Sequence, residues 1–579
     1  MDALLLMVLT FVGYIVMYRI YGRFIGKIIF KINRKVKAPS VEFEDGVDYV
    51  PTKKEVIFGH HFASIAGTGP IVGPAIAIIW GWLPAILWIF LGSLFIGAIH
   101  DFGSLVISMR NQGKSISEFT AKYINPRTKI FFFIIIFLEL WIVISIFGLV
   151  IAVIFSMYPS SVLPVWLQIP IAMYLGVLIY KKGKNFTFWS LAAVVAMYAT
   201  IVMGYFLPLN MPSILGMPAT GVWTILLLAY AFFASVLPVT ALLQPRDFIN
   251  AYQLTIAMAL LVLGVIFSSI FGGMDLVAPA VQAAPANAPP LWPFLFITIA
   301  CGAISGFHSL VSSGTSSKQI KDEGDSVFVG VGSMLTEGAL ATLVIIAVAA
   351  GIGLGYTNPS GQTLMGVSAW TAHYASWTAA QGLTSKIAAF VDGAANMLDR
   401  LGIPKGISVG IMGVFVASFA GTTLDTATRI QRYVVSELGM DMKINVFRNR
   451  YFSTAVVVLS AMLLAFVSGA DGKGALKLWP LFGAVNQTLA ALALVIATVY
   501  LKSRGGLKWL ATGIPGVFMI VMTMWAAVMN QIDFGHQSNI LLQVINVIII
   551  LLVALIVIEG FIAFLKTTEI KEEPVSAEV

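Results

Sequence analysis

Runs of about 20 apolar residues recur almost without pause from Met1 to Lys566, and each is long enough to cross the hydrocarbon core of a bilayer as a helix. Wherever lipid surrounds a chain, its backbone N–H and C=O groups have to be satisfied internally, which leaves helices or a closed barrel. Barrels carry short alternating strands, whereas the runs here are continuous. The expectation is therefore an all-α polytopic membrane protein. Composition agrees: 59% of the residues are hydrophobic, 11% are charged and the mean hydropathy is +0.91, outside the range of soluble domains. A net charge of +8 does not point to nucleic acid, because the basic residues are scattered between apolar runs. The first run, Leu4 to Ile20, follows no basic region and precedes no small-residue cleavage signature, so it reads as a retained span. The sole cysteine, Cys301, can form neither an intrachain disulfide nor a multi-cysteine metal site and reads as a small packing residue.

About fifteen spans follow, near 3–21, 59–80, 84–108, 130–156, 164–180, 187–207, 220–243, 252–272, 292–312, 326–352, 406–430, 453–470, 478–501, 509–529 and 539–565; seventeen would keep the same parity. Threaded alternately, they leave only Lys386, Arg400, Lys405, Lys473 and Lys477, of 35 Lys and Arg residues, on one side. The positive-inside rule makes the other side cytoplasmic, with the N-terminus outside and the C-terminus inside a bacterial or archaeal inner membrane. The chain then divides into an accessory helix 1–21, a cytoplasmic loop 22–58, five spans in 59–207, five in 220–430, accessory helices 453–565 and a cytoplasmic tail 566–579. The long extracytoplasmic loop 353–405 has room for a re-entrant or extra helix pair, and the polar tail from Glu569 is expected to be disordered. One group of five starts inside and the other outside, which is the parity of an inverted repeat.

The segment Gly59 to Pro74 is a poor continuous helix. Two prolines and three glycines between Gly67 and Pro74 remove amide donors and loosen the backbone. In hydrocarbon the freed groups cost several kcal/mol each unless protein, water or a ligand meets them, and discontinuous transporter helices use such groups to hold solute and ions. Close packing against a neighbouring helix is the alternative use of small residues. Ser64, Gly67, Thr68 and Gly69 are the solute-binding candidates here. The second group opens on Tyr230 to Thr240, which repeats Phe-Ala-Ser and holds Pro238 within its span, adding Ser235 and Thr240.

Ionisable groups in spans are costly and mark ion or solute routes. Ser305, Ser309 and Ser312 share a helical face with His308 beside them, either completing a cation site or bonding their own turn. Glu139 and Glu337 lack a local partner and are candidates for reversible protonation. Asp425, an ion- or proton-coupling candidate, has Arg429 one turn on, and a purely structural pair is the alternative. His100 and Asp101 sit near the cytoplasmic end of their span, where solvation is one explanation and ion coupling through Asp101 the other. His60 and His61 point about 100° apart on a helix, so a metal there would need further ligands.

Gly113-Lys114-Ser115 lacks the upstream glycine and strand of a phosphate loop, and Asp101-Phe102-Gly103 lacks the rest of a kinase set. No metalloprotease or hydrolase motif appears, so the chain reads as no enzyme and as needing no cofactor.

The run Gly59 to Pro74, then Gly81-Trp82-Leu83-Pro84, Gly97-Ala98-Ile99-His100-Asp101-Phe102, Ser305-Gly306-Phe307-His308-Ser309 and Thr422 to Arg429 resemble the carbon-starvation protein A family over about residues 40–500. The resemblance implies an inner-membrane importer of small peptides or pyruvate, active when carbon is scarce. It also implies a symporter coupled to protons, with sodium as the alternative ion, and a LeuT- or APC-like five-plus-five fold with broken first helices. A channel-like protein or a starvation sensor is the competing class. The largest cytoplasmic loop, 22–58, is too short for an evident signalling domain.

Overall fold

The computed structural model describes residues 2–358 and 361–568; the tail from Glu569, expected to be disordered, lies outside the described residues. In chain order the membrane-length helices and their broken partners are α1 (Ala3–Ile29), α2 (Lys54–Ala66), α3 (Gly69–Trp80), α4 (Trp82–Met109), α5 (Pro126–Met157), α6 (Pro159–Lys181), α7 (Phe186–Phe206), α8 (Ala219–Val236) and α9 (Leu243–Phe271). There follow α10 (Leu291–Thr298), α11 (Gly306–Gly314), α12 (Glu323–Leu354), α13 (Leu383–Asp399), α14 (Lys405–Asp441), α15 (Arg450–Phe466), α16 (Gly474–Ser503), α17 (Leu510–His536) and α18 (Ile540–Lys566). Among the described residues, 12 helices are long and apolar enough to cross a membrane, and the α2–α3 pair, bent by 42°, makes up to 13. The two remaining expected spans fall on the shorter α15 and on the interrupted α10–α11.

Burial sorts the helices into layers. The apolar windows of α12, α14 and α16 are 83–89% buried, whereas those of α1, α7 and α18 are 28% buried. On α1 the side chains of Leu9, Ile15 and Ile20 are exposed, as are Leu551, Ile558 and Phe561 on α18. An apolar stripe of that extent is compatible with lipid, not with water. α16, expected among the accessory helices 453–565, has the most buried window of these. Around the crossing of α5 with α14, α8 packs on α5, α9 on α2, and α11 on α4 and α16.

Two local features differ from the expectation. The span opening the second group stops at Val236, because Leu237, preceding a proline, takes an extended backbone (φ −72°, ψ 151°). Pro238 and Thr240 therefore lie in the link between α8 and α9, and no break occurs inside that helix. The second break lies further on, where residues 299–305 between α10 and α11 are not helical. The loop 353–405 does hold extra structure: a small antiparallel hairpin pairing Tyr356 with Leu364, two short helices, and α13, which packs on α3, α12 and α14.

Candidate functional site

α2 ends because Gly67 adopts φ +45°, ψ −143°, a conformation closed to side chains. A β-carbon there would also stand 2.7 Å from the Thr423 hydroxyl and 3.2 Å from the Phe147 ring. α14 meets the groups freed by the break: Thr423 Oγ1 donates to the Ser64 carbonyl at 3.1 Å, and the Ser64 and Thr426 hydroxyls lie 3.0 Å apart. α3 restarts at Gly69 with Pro70 in its first turn, where the missing N–H is no loss.

The two breaks face each other. Gly69 abuts Cys301 and Gly73 lies against the Thr298 carbonyl, so side chains at these glycines would push the segments apart, while Gly302 faces Pro70 and lies close against Ala341. Between them is a cavity of about 810 Å³, the size of a small-solute site, lined near its floor by Ala66 to Gly69, Thr298, Cys301 and Ser305. Trp377, Lys386, Trp479 and Asp533 line it further out. Asn486 organises the second break by accepting from the Phe307 amide at 2.9 Å and from the Ser305 hydroxyl at 3.1 Å.

Behind Cys301 lies a buried chain of ionisable groups. His308 Nδ1 is 2.9 Å from Asp101 Oδ2, and its Nε2 is 3.2 Å from Glu337 Oε2. Asp101 Oδ1 is 2.7 Å from His100 Nδ1, and the Gly302 amide donates to Glu337 Oε1 at 3.0 Å. The fold thus brings together three predicted residues from α4, α11 and α12, and His100 is buried with them rather than solvated. Cys301 was missed as a site residue. Its thiol, the His308 imidazole and the Glu337 carboxylate have donor atoms within 4.8 Å of one another, a set able to share a proton and also of metal-ligand type. Nothing local marks Cys301 in the sequence; only the meeting of the breaks does.

Other expectations are redirected. Asp425 pairs not with Arg429 but with Arg246 on α9 and with the Tyr230 hydroxyl at 2.8 Å, because its face of α14 turns toward α8 and α9. Arg246→Met is expected to lower stability by about 3–5 kcal/mol by stranding that buried carboxylate, and adding Asp425→Asn should recover most of the loss, read as thermal unfolding in detergent. Arg429 instead reaches Asp48 of the 22–58 loop at 2.8 Å and the Ala234 and Leu237 carbonyls. Burial pushes the Asp48 carboxyl up, but Arg429, Arg432, Lys318 and the Tyr433 hydroxyl outweigh it and hold the group below the usual carboxylate range.

Among the described residues, His60 and His61 belong to no group of three or more metal-ligand side chains. Both ring nitrogens of His60 are engaged, by Asp247 at 2.6 Å and Thr315 at 3.0 Å, and His61 Nδ1 pairs with Ser316 at 2.7 Å. Ser309 bonds its own turn through the Gly306 carbonyl, and the Ser312 hydroxyl is buried with no hydrogen-bond partner among the described residues. Glu139 is buried, and among the described residues neither of its carboxylate oxygens has a hydrogen-bond partner. Ser235 and Thr240 do not line the cavity.

The profile described as "Carbon starvation protein CstA" matches residues 2–526. The chain belongs to this family. Among its CstA relatives, the "Peptide transporter CstA" of Campylobacter jejuni is 32% identical over 93% of this chain and 82% of its own. The "Pyruvate/proton symporter BtsT" of Escherichia coli is 32% identical over 93% and 83%, and the Escherichia coli "Peptide transporter CstA" is 30% identical over 91% and 80%. Solved structures similar to this CstA-family chain include MhsT in complex with L-phenylalanine, at TM-score 0.48 and 12% identity, covering 82% of this chain and 99% of that one. The Eremococcus coleocola manganese transporter in complex with an aromatic bis-isothiourea substituted compound gives 0.45 and 13%, with 88% and 96% covered.

Proposed function

We propose that this protein is a proton-coupled importer of small carboxylate solutes, a short peptide or a pyruvate-like acid, in the inner membrane of a bacterium or archaeon. One observation carries the reading: the cavity between two interrupted helices reaches Cys301, and behind that thiol a buried imidazole is held between two carboxylates. An imidazole so placed takes up and releases a proton with its charge compensated on either side. At the cavity floor the first turn of α3, around Thr68 and Gly69, presents the positive end of a helix, which suits an anion. Metal-bound and proton-bound forms of the cluster are told apart by a chelator, which removes only the first.

The cavity mouth belongs to segments poor in Lys and Arg, which the charge rule places outside. On the basic side, Asp48 ties the 22–58 loop to Arg429 and Tyr433 of α14, and the Val50 and Thr52 amides donate to the Lys318 and Gln319 carbonyls. That closure beneath an open cavity supports an outward-facing carrier with the N-terminus outside. Neighbour relations support repeats made of α2–α3, α4, α5, α8, α9 and of α10–α11, α12, α14, α15, α16, rather than 59–207 and 220–430. In this grouping α5 meets α14, α8 lies on α5 as α15 lies on α14, α9 on α2 as α16 on α10, and α3 on α12 as α11 on α4. The hairpin α6–α7 is then an insertion, with α1, α17 and α18 as accessory helices.

Proteoliposomes containing the purified chain are expected to accumulate labelled pyruvate or a labelled dipeptide when the outside is made acidic, and to equilibrate without accumulation when the gradient is collapsed. Accumulation of neither acid overturns import; equilibration unaffected by the gradient leaves a channel.

A further inference from the structure

Five Lys and Arg side chains are buried among the described residues: Arg246, Lys318, Lys386, Arg429 and Arg432. Four of them answer to a carboxylate of the protein. Arg246 pairs with Asp425, Arg429 and Arg432 reach Asp48, and Lys318 lies in the field of Asp48 and Glu437. Lys386 is the exception. It is 6% exposed, and no hydrogen bond or ion pair engages its ammonium among the described residues; its contact is the face of Trp479, 5.4 Å from nitrogen to ring centroid. Lys386 and Trp479 both line the cavity, and Lys386 is the only Lys, Arg or His that does so among the described residues. The only acid on the same lining is Asp533, exposed at the rim and accepting from Gln537 at 2.7 Å.

A buried cation left without a counter-charge is a cost to the fold, and the cost is lifted when a ligand supplies the missing anion. The position suits that use: α13 carries the ammonium into the outer part of the cavity, above the floor formed by the two breaks. We infer that Lys386, backed by Trp479, is the outer docking point for the free carboxylate of the solute. This rests on the import reading and names the group by which the carrier selects acids over their amides. An incoming acid pairs with Lys386 first and then passes to the floor, where its carboxylate meets the helix end around Thr68 and Gly69. A neutral amide of the same shape leaves the ammonium uncompensated and is rejected.

The test compares the full chain with Lys386→Met and Lys386→Arg in proteoliposomes at equal pH on both sides, measuring exchange of labelled pyruvate and of a labelled dipeptide. Lys386→Met is expected to raise KM for the transported acid by about 30-fold or more with maximal rate little changed, and Lys386→Arg to keep most of the affinity. Excess pyruvamide or the C-terminally amidated dipeptide should compete poorly against the unmodified chain, and the acid that exchanges tells the two sources of carboxylate apart. A KM unchanged in Lys386→Met overturns the inference and leaves import standing. Ligand-free Lys386→Met, having lost a buried charge, should melt no lower than the unmodified protein, which separates affinity from misfolding. Thermal stabilisation of the detergent-purified chain by pyruvate or dipeptide supplies a second readout. If exchange fails, stabilisation that disappears in Lys386→Met upholds the docking site while import falls; stabilisation by neither acid overturns both.

Discussion

Gly67→Ala is expected to reduce uptake to below about a tenth of normal while the protein still inserts and purifies as a single species. The backbone at φ +45°, ψ −143° costs an L-residue about 1–3 kcal/mol. The new methyl also meets the Thr423 hydroxyl at 2.7 Å, on the group that satisfies the Ser64 carbonyl. The break therefore has either to straighten or to swing away from α14, and each response deforms the cavity floor. Gly421→Ala on α14 is the matched control: a β-carbon there meets nothing within 4 Å, and alanine is the better helix former. Uptake should survive it. Equal loss in the two variants would show that α14 tolerates no change at all and would remove Gly67 from its special place.

His308→Gln is expected to abolish gradient-driven accumulation, by about 100-fold or more, while exchange at equal pH persists in part. The glutamine amide cannot carry a proton, and it leaves Asp101 and Glu337 facing each other without the group between them. Breaking such a buried set costs about 3–5 kcal/mol, so stability falls as well. Adding Glu337→Gln should restore part of the stability and none of the coupling, which separates the two effects. Dialysis against a strong chelator should leave the unmodified protein active. Loss of uptake on chelation, restored by added metal, would assign Cys301, His308 and Glu337 to a metal instead.

Some of this was legible because it depends on local composition. Gly67 to Pro74 reads as a poor continuous helix, and α2 and α3 part at its first two residues, Gly67 and Thr68, although Gly69 to Pro74 then runs as helix with Pro74 inside α3. His308, Asp101 and Glu337 stood out as ionisable groups amid apolar neighbours, whose burial demands partners, although the identity of the partners was not readable. Asp425 shows the limit: the arginine one turn away in sequence was a reasonable partner, yet rotation of α14 gave Asp425 to Arg246 and Arg429 to Asp48. The second break was misplaced at Pro238, because proline signals a helix end as readily as an interrupted span. The actual break at 299–305 contains no proline at all.

The sequence alone determined that the chain is a helical membrane protein, where the span 59–80 fails, and which buried groups need an explanation. Lipid permits few backbone solutions, and a charge or a proline in a span has a cost wherever it lies. Tertiary structure decided which helices are central, that Cys301 meets Gly69, and that Lys386 is a buried cation with no carboxylate partner among the described residues. It also suggests where the repeats divide. Inserting a hairpin such as α6–α7 adds two spans and leaves parity unchanged, so counting crossings cannot detect it. Contacts between residues hundreds of positions apart can, because they depend on helix rotation and packing rather than on any local run of residues.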